Sequence, residues 1–124
     1  MLALAFSRPY WHETIGSLQT STRTHVQTAG DVTLVRCEAD GDWHIRLSDA
    51  KGRFIVAEII PALPMTPGVK PGTPCQKQTE PPTRVGRGLV VKGIRRRDSA
   101  GGHGWPEVHP VEQLIDMPGT EIGR

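Results

Sequence analysis

Cysteine is scarce in this sequence, which has only Cys37 and Cys75 among its 124 residues. Their separation is neither that of a zinc knuckle nor that of a redox pair, and two cysteines are too few for a disulfide framework. We therefore expect two free thiols, with Cys37 buried and unreactive. Cys75 lies in a proline-rich segment, and the sequence leaves open whether it reacts or binds a metal.

Long apolar runs are absent as well, since no stretch approaches the roughly 20 apolar residues that a membrane-spanning helix needs. The apolar start, residues 1–6, has no preceding basic residue and runs directly into Ser7-Arg8-Pro9, so it lacks the layout of a secretory signal. These features predict a cytoplasmic protein with no membrane partner. A chain of this length without internal repeats fits one domain over residues 1–124.

The sequence also has little net charge, formally +2, which is too small to indicate a nucleic-acid partner by itself. Its basic residues are concentrated late in the chain, in a run that contains no acid: Arg84, Arg87, Lys92, Arg95, Arg96 and Arg97. Such a run usually faces water, and the alternative is a basic surface for a polyanion.

β-Branched and apolar residues alternate over much of the chain, which is typical of strands. The pattern predicts five of them, at residues 24–37, 42–49, 53–60, 85–97 and 105–115, with a bulge at Gly30-Asp31. Residues 1–22 are predicted as an N-terminal arm with a short helical turn over 9–19, whose apolar face is formed by Tyr10, Trp11, Ile15 and Leu18. Residues 117–124 are predicted as a frayed tail.

The segment 61–84 separates the third and fourth predicted strands and holds most of the eleven prolines. Proline removes backbone donors, so we expect a long loop without a regular element, which is either functional or mobile. Five strands with a long connection between the third and the fourth follow the chain order of an OB-fold. We therefore predict an all-β, five-stranded OB-like barrel over residues 23–116, with an SH3-like barrel or an open sandwich as alternatives.

Two loops, Ala39-Asp40-Gly41 and Ala50-Lys51-Gly52, end in glycine, as in three-residue hairpin turns whose third residue is left-handed. This geometry predicts a core face on which every cross-strand pair is apolar: Cys37–Trp43, Val35–Ile45, Trp43–Ile59, Ile45–Ala57 and Leu47–Ile55. A shift by one residue would instead place Glu58 against Trp43, which a buried face disfavours.

The opposite face then carries two transverse rows of side chains, namely Arg36, His44 and Glu58 in one row and Leu34, Arg46 and Val56 in the other. Directly opposed side chains lie about 4.5–5.5 Å apart at Cβ, close enough for charge pairing. One interpretation is an ordinary ion pair on a solvated sheet, which contributes only a fraction of a kcal/mol.

The other interpretation of His44 and Glu58 is a functional site. In an OB topology the fifth strand lies beside the third, so Glu107, His109 or His103 can complete a cluster. Histidines and carboxylates on one patch ligate a divalent metal or perform acid-base chemistry, and His44, Glu58 and His109 are the candidate metal ligands. A metal-binding protein or metal-dependent hydrolase is therefore one hypothesis.

The hypothesis we rank first is a non-enzymatic binding module, because the sequence contains neither a nucleophile elbow nor a phosphate-cradling glycine loop. Single-stranded nucleic acid needs a basic groove with aromatic platforms. The candidate ligand-binding residues are Arg36, His44, Arg46, Phe54, Glu58 and His109, with Trp105 as a further aromatic side chain. The sequence does not identify a cofactor. A third hypothesis is a homodimer that covers an apolar outer patch formed by Leu34, Phe54 and Val56.

Five segments, at residues 39–47, 55–61, 74–75, 90–93 and 104–111, resemble a set of small bacterial hypothetical proteins. Those proteins run Asp-Gly-Asp-x-His, then Glu-x-Pro, then Cys, then His-Gly, then Glu-x-His-Pro-Val. The resemblance covers about two-thirds of the chain and implies an OB-like barrel without an established function. Carried over to this sequence, the polar positions of the pattern are Asp42, His44, Glu58, Cys75, His103, Glu107 and His109.

Overall fold

A computed structural model describes residues 9–97, 104–117 and 121–123 of the chain. Its strands are β1 (Trp11–His12), β2 (His25–Cys37), β3 (Trp43–Ser48), β4 (Phe54–Ile59), β5 (Gly88–Arg97), β6 (Pro106–Asp116) and β7 (Glu121–Gly123). A one-turn helix, α1 (Ile15–Leu18), lies between β1 and β2, and a single 3-10 turn covers Cys75–Lys77. No helix among the described residues is long and apolar enough to cross a membrane.

Strands β2 to β6 form a closed barrel. The long strand β2 pairs antiparallel with β5 through residues 25–31 and with β3 through residues 31–37. The ring continues from β3 to β4, from β4 to β6 in a short parallel pairing, and from β6 back to β5. Because the ring is closed, each of its strands has a neighbouring strand on both sides with which its backbone groups can pair. The predicted five-stranded OB-like barrel is therefore confirmed.

The predicted bulge at Gly30-Asp31 is wrong in position, because the irregularity in the β2–β3 ladder lies between Val32 and Leu34. Gly30 instead allows close packing of the helix. A Cβ atom there would approach Ile15 Cδ1 at 2.5 Å and the Ser48 carbonyl oxygen at 3.0 Å. The glycine therefore makes room where α1 packs on the barrel.

The N-terminal arm contains less helix than predicted. Within the predicted helical turn over 9–19, only Ile15–Leu18 is helical, and its N-terminus carries a capping box in which Thr14 Oγ1 accepts from the Ser17 amide at 2.9 Å. Ile15 and Leu18 are buried, as the predicted apolar face requires. Trp11 instead lies in β1, which pairs parallel with β2. The tail is not wholly frayed, since the backbone of β7 pairs with β6.

The hairpin register is confirmed at all five predicted apolar pairs. Ile45, Leu47 and Ile55 are fully buried in the barrel core. Trp43 is half-buried at the edge of this core, where its indole Nε1 donates a hydrogen bond to Gln78 Oε1 at 3.0 Å. Gln78 belongs to the proline-rich loop, so the loop covers this end of the barrel.

The prediction of two free thiols is wrong, because Cys37 and Cys75 form a disulfide with their Cα atoms 5.8 Å apart. The loop folds back over the β2–β3 turn, where the Cys75 amide donates to the Gly41 carbonyl at 2.9 Å. The Gln76 side-chain amide donates to the Glu38 carbonyl at 2.7 Å. Cys75 is buried and Cys37 only half-buried, the reverse of what we expected. The loop is therefore tied to the turn that carries Glu38.

Candidate functional site

A cleft of about 380 Å³ lies on the outer face of β3 and β4, between the β2–β3 turn and the start of β6. Its lining residues are Arg36, Glu38, His44, Arg46, Glu58, Trp105 and Glu107. The second and third strands of an OB barrel, together with the loops beside them, form the usual ligand-binding surface of the fold. Here those strands are β3 and β4, so the cleft occupies that surface.

The sheet register brings the functional side chains together. His44 on β3 is paired with Arg36 on one side and with Glu58 on the other, as predicted. The parallel pairing of β4 with β6 sets Glu107 opposite Val56, two residues from Glu58. His44 is 7% exposed and Glu58 8% exposed, so these two side chains do not lie on a solvated sheet, whereas Arg36 in the same row is exposed. The interpretation of an ordinary exposed ion pair is therefore wrong.

The inner part of the cleft holds Glu38, His44 and Glu58. His44 Nδ1 lies 3.4 Å from Glu38 Oε1 and 3.6 Å from Glu58 Oε1. One ligand atom from each of the three side chains lies within 4.8 Å of the others. His44 Nδ1 and Glu58 Oε2 are buried without a hydrogen-bond partner. Because buried polar atoms are almost always bonded, these two atoms are where the cleft can bond a further group.

The spacing of these atoms matches that of metal ligands. Donor atoms about 2.1 Å from a tetrahedral ion lie about 3.4 Å from one another. A charge-assisted hydrogen bond between imidazolium and carboxylate would be shorter, at about 2.7–2.9 Å. The distances around His44 therefore fit a ligand set better than a hydrogen-bonded ion pair.

His109 lies beside this group and not within it. Its Nε2 is 3.6 Å from Asp42 Oδ2, and its Nδ1 is 3.6 Å from Glu107 Oε1. The structure thus places Glu38 where the sequence predicted His109. Glu38 was missed because it lies one residue beyond β2, although its position two residues after Arg36 predicts the same face if the extended chain continues. His103, the other candidate from this part of the chain, lies outside the described residues.

Asp42 joins the two parts of the cluster electrostatically. Burial raises the pKa of its carboxyl to about 6, and the negative charges of Asp40 and Glu58 act in the same direction. The neighbouring His109 opposes this rise in pKa. The Asp42 carboxyl therefore interacts with Glu58 in one part of the cluster and with His109 in the other.

The basic and aromatic candidates also lie at the cleft, and each of them has a contact within the chain. Arg36 Nε donates to Glu38 Oε2 at 2.9 Å. The Arg46 guanidinium lies 4.5 Å from the centre of the Phe54 ring, and the Trp105 ring meets Phe54 edge-on at 5.7 Å. Arg46 Nε is buried without a hydrogen-bond partner. Phe54 is thus covered by its neighbours, whereas Trp105 and Arg46 line the cleft.

The predicted apolar outer patch is smaller than expected, because Val56 is fully buried and Phe54 is half-buried against Trp105. The late basic run does not line the cleft either. Arg95 Nε donates to the Arg23 carbonyl at 2.6 Å, and Arg97 donates to two backbone carbonyls. These arginines therefore brace the N-terminal arm and the β5–β6 connection.

The strand order and the position of the cleft define an OB-fold protein. A solved structure with a similar fold is described as "OBody AM3L15 bound to hen egg-white lysozyme", with a TM-score of 0.61 and 15% sequence identity. The match covers 90% of this chain and 97% of that one. At this identity the likeness shows the fold alone. No known protein family and no curated protein matches the sequence.

Proposed function

We propose that this chain is an OB-fold binding protein whose cleft holds a divalent cation through Glu38, His44 and Glu58. The observation that carries the proposal is the pair of buried atoms without hydrogen bonds, His44 Nδ1 and Glu58 Oε2, in a group with metal-ligand spacing. Burying charged groups is costly unless they are paired or coordinate a metal. A cation would remove that cost at both atoms.

The mixed donor set favours particular metals. Imidazole suits zinc and other transition metals, whereas calcium and magnesium prefer oxygen donors alone. We therefore expect Zn²⁺ and Mn²⁺ to bind more tightly than Ca²⁺ or Mg²⁺. Three protein ligands leave a coordination position free for water or for an external ligand, and the open cleft gives access to it. A hydrolytic role remains the second candidate, because the same layout activates bound water.

Nucleic acid, the partner predicted from the sequence, is disfavoured in the metal-free protein. Three carboxylates, those of Glu38, Glu58 and Glu107, face the cleft against two guanidiniums. Like charges placed against each other at an interface are repulsive. The metal-free cleft is therefore a poor receptor for a phosphate backbone.

For location, we propose an oxidising compartment rather than the cytoplasm predicted from the sequence. The Cys37–Cys75 bond is the reason, because disulfides persist mainly in oxidising environments and are rare in the cytosol. Cell fractionation under conditions that block thiol exchange would test this proposal, and finding the reduced protein in the cytosol would contradict it.

The cation site is tested by metal titration. Protein stripped with a chelator should bind one Zn²⁺ or Mn²⁺ per chain in calorimetry. At a metal concentration of about 100 times Kd, the free energy of unfolding should rise by about 2.7 kcal/mol. Glu58→Gln keeps the shape of the side chain but removes a charged ligand, so the variant should lose most of this gain.

The matched control is Glu80→Gln. Glu80 is exposed in the proline-rich loop and pairs only weakly with Arg84, with N–O atoms 3.6 Å apart. Its variant should bind metal as the unchanged protein does. Equal metal binding by Glu58→Gln and Glu80→Gln would contradict the proposed site.

A further inference from the structure

The charge of the cleft depends on whether the cation is present. Without it, and counting His44 as neutral, the three lining carboxylates outnumber the two lining guanidiniums, so the formal charge of the lining is negative. A divalent cation between Glu38, His44 and Glu58 reverses the sign. Resting on the proposed cation site, we infer that the loaded cleft binds a phosphate group of single-stranded nucleic acid and that the empty cleft does not.

Arg46 is placed to share such a phosphate with the cation. It follows His44 by two residues on β3, so both side chains leave the same face of the strand about 7 Å apart. Its Nε is buried and has no acceptor within the described part of the chain, so this donor can still bond an anion. Arg36 is less available, since Glu38 already accepts its Nε hydrogen bond. A phosphate between the cation and Arg46 would coordinate the cation through one oxygen and accept hydrogen bonds from the guanidinium through others. Guanidinium groups bind phosphate well in this way.

Trp105 favours a nucleic acid over other phosphorylated or sulfated ligands. Its half-buried ring forms one wall of the cleft and is held edge-on to Phe54. Bases stack on such rings with little dependence on sequence, and they reach a side-chain platform only where the strand is unpaired. Cation, arginine and indole on one surface thus match the repeating phosphate and base of a single strand.

The inference is tested with a fluorescein-labelled ten-nucleotide thymidine strand and fluorescence anisotropy, at low salt, with Mn²⁺ or with EDTA. Mn²⁺ should tighten binding by about tenfold or more, and added salt should weaken the metal-loaded complex, because phosphate contacts release counterions. Calorimetry with Mn²⁺ alone, on the same samples, measures the cation site separately.

Two variants separate the contribution of the phosphate contact from that of base stacking, and a third is the control. Arg46→Gln should keep Mn²⁺ binding and lose most of the strand affinity. Trp105→Ala should weaken binding of the thymidine strand but leave binding of an abasic strand of equal length unchanged. Arg84→Gln is the control, because Arg84 is exposed in the proline-rich loop and outside the cleft. Thermal denaturation of each variant checks that it is folded.

The remaining outcomes distinguish a failure of the nucleic-acid inference from a failure of the proposed cation site. Normal Mn²⁺ binding with a strand affinity that neither Mn²⁺ nor Arg46→Gln changes would overturn this inference and leave the cation site intact. No Mn²⁺ binding would overturn the proposed function as well. Equal affinity for the thymidine strand, the abasic strand and a sulfated polysaccharide would show a general anion site and overturn the assignment to nucleic acid.

Discussion

At the scale of single residues, Asp42 shows what burial of a carboxyl beside other carboxylates does to stability. Its side chain is nearly buried, and its pKa rises from 3.8 to about 6, first through burial and then through the charges of Asp40 and Glu58. The folded chain therefore holds a proton that the unfolded chain releases at lower pH. Stability from this group is present below about pH 4 and is lost as the pH rises towards 6.

Asp42→Asn should remove that loss. In the presence of a chelator, we expect the variant to be more stable than the unchanged protein at pH 7 and to approach it at pH 4. Urea denaturation at several pH values measures the difference, with Glu80→Gln as an exposed control that should not follow this trend. An advantage of Asp42→Asn that grows as the pH falls would contradict the assigned sign.

The sequence predicted which face of the sheet His44 and Glu58 lie on, but it did not predict that these side chains are buried. His44 and Glu58 follow from the period of two along a strand and from glycine at the two hairpin turns. Their burial depends on β6, which pairs with β4 from about fifty residues away in the sequence. Glu38 was missed because it sits at the end of β2, where we took the chain to have left the sheet.

At the scale of elements, the proline-rich loop determines how rigid the site is. Its disulfide and the hydrogen bond from Gln76 both hold the β2–β3 turn, from which Glu38 enters the cleft. Composition predicted a long irregular loop there, and this is correct. Composition could not predict where the loop docks, because docking depends on contacts between distant parts of the chain.

Replacing both cysteines by serine should therefore affect stability and metal binding together. The disulfide closes a separation of 38 residues, for which chain entropy gives a loss of about 3–4 kcal/mol in the free energy of unfolding. We also expect weaker Mn²⁺ binding, because the Glu38 turn is less restrained. Urea denaturation and calorimetry measure the two effects. Unchanged values of both in the double variant would show that the loop does not support the site.

At the scale of the whole molecule, the barrel supplies a rigid surface, and the chemistry lies in a few side chains on it. Five strands and one register were predictable from alternation and turns, and they were enough to locate the outer face of β3 and β4. The similarity to a solved OB-fold structure at 15% identity supports the same architecture and no more. What the protein binds therefore has to be inferred from the cleft itself.

The most direct test of the cation site is a crystal structure of the protein grown with Zn²⁺, with anomalous diffraction measured at the zinc edge. We expect one strong peak in the cleft, about 2.0–2.2 Å from His44 Nδ1 and from carboxylate oxygens of Glu38 and Glu58. A cleft without a peak in fully loaded protein, or zinc bound only outside the cleft, would contradict the account.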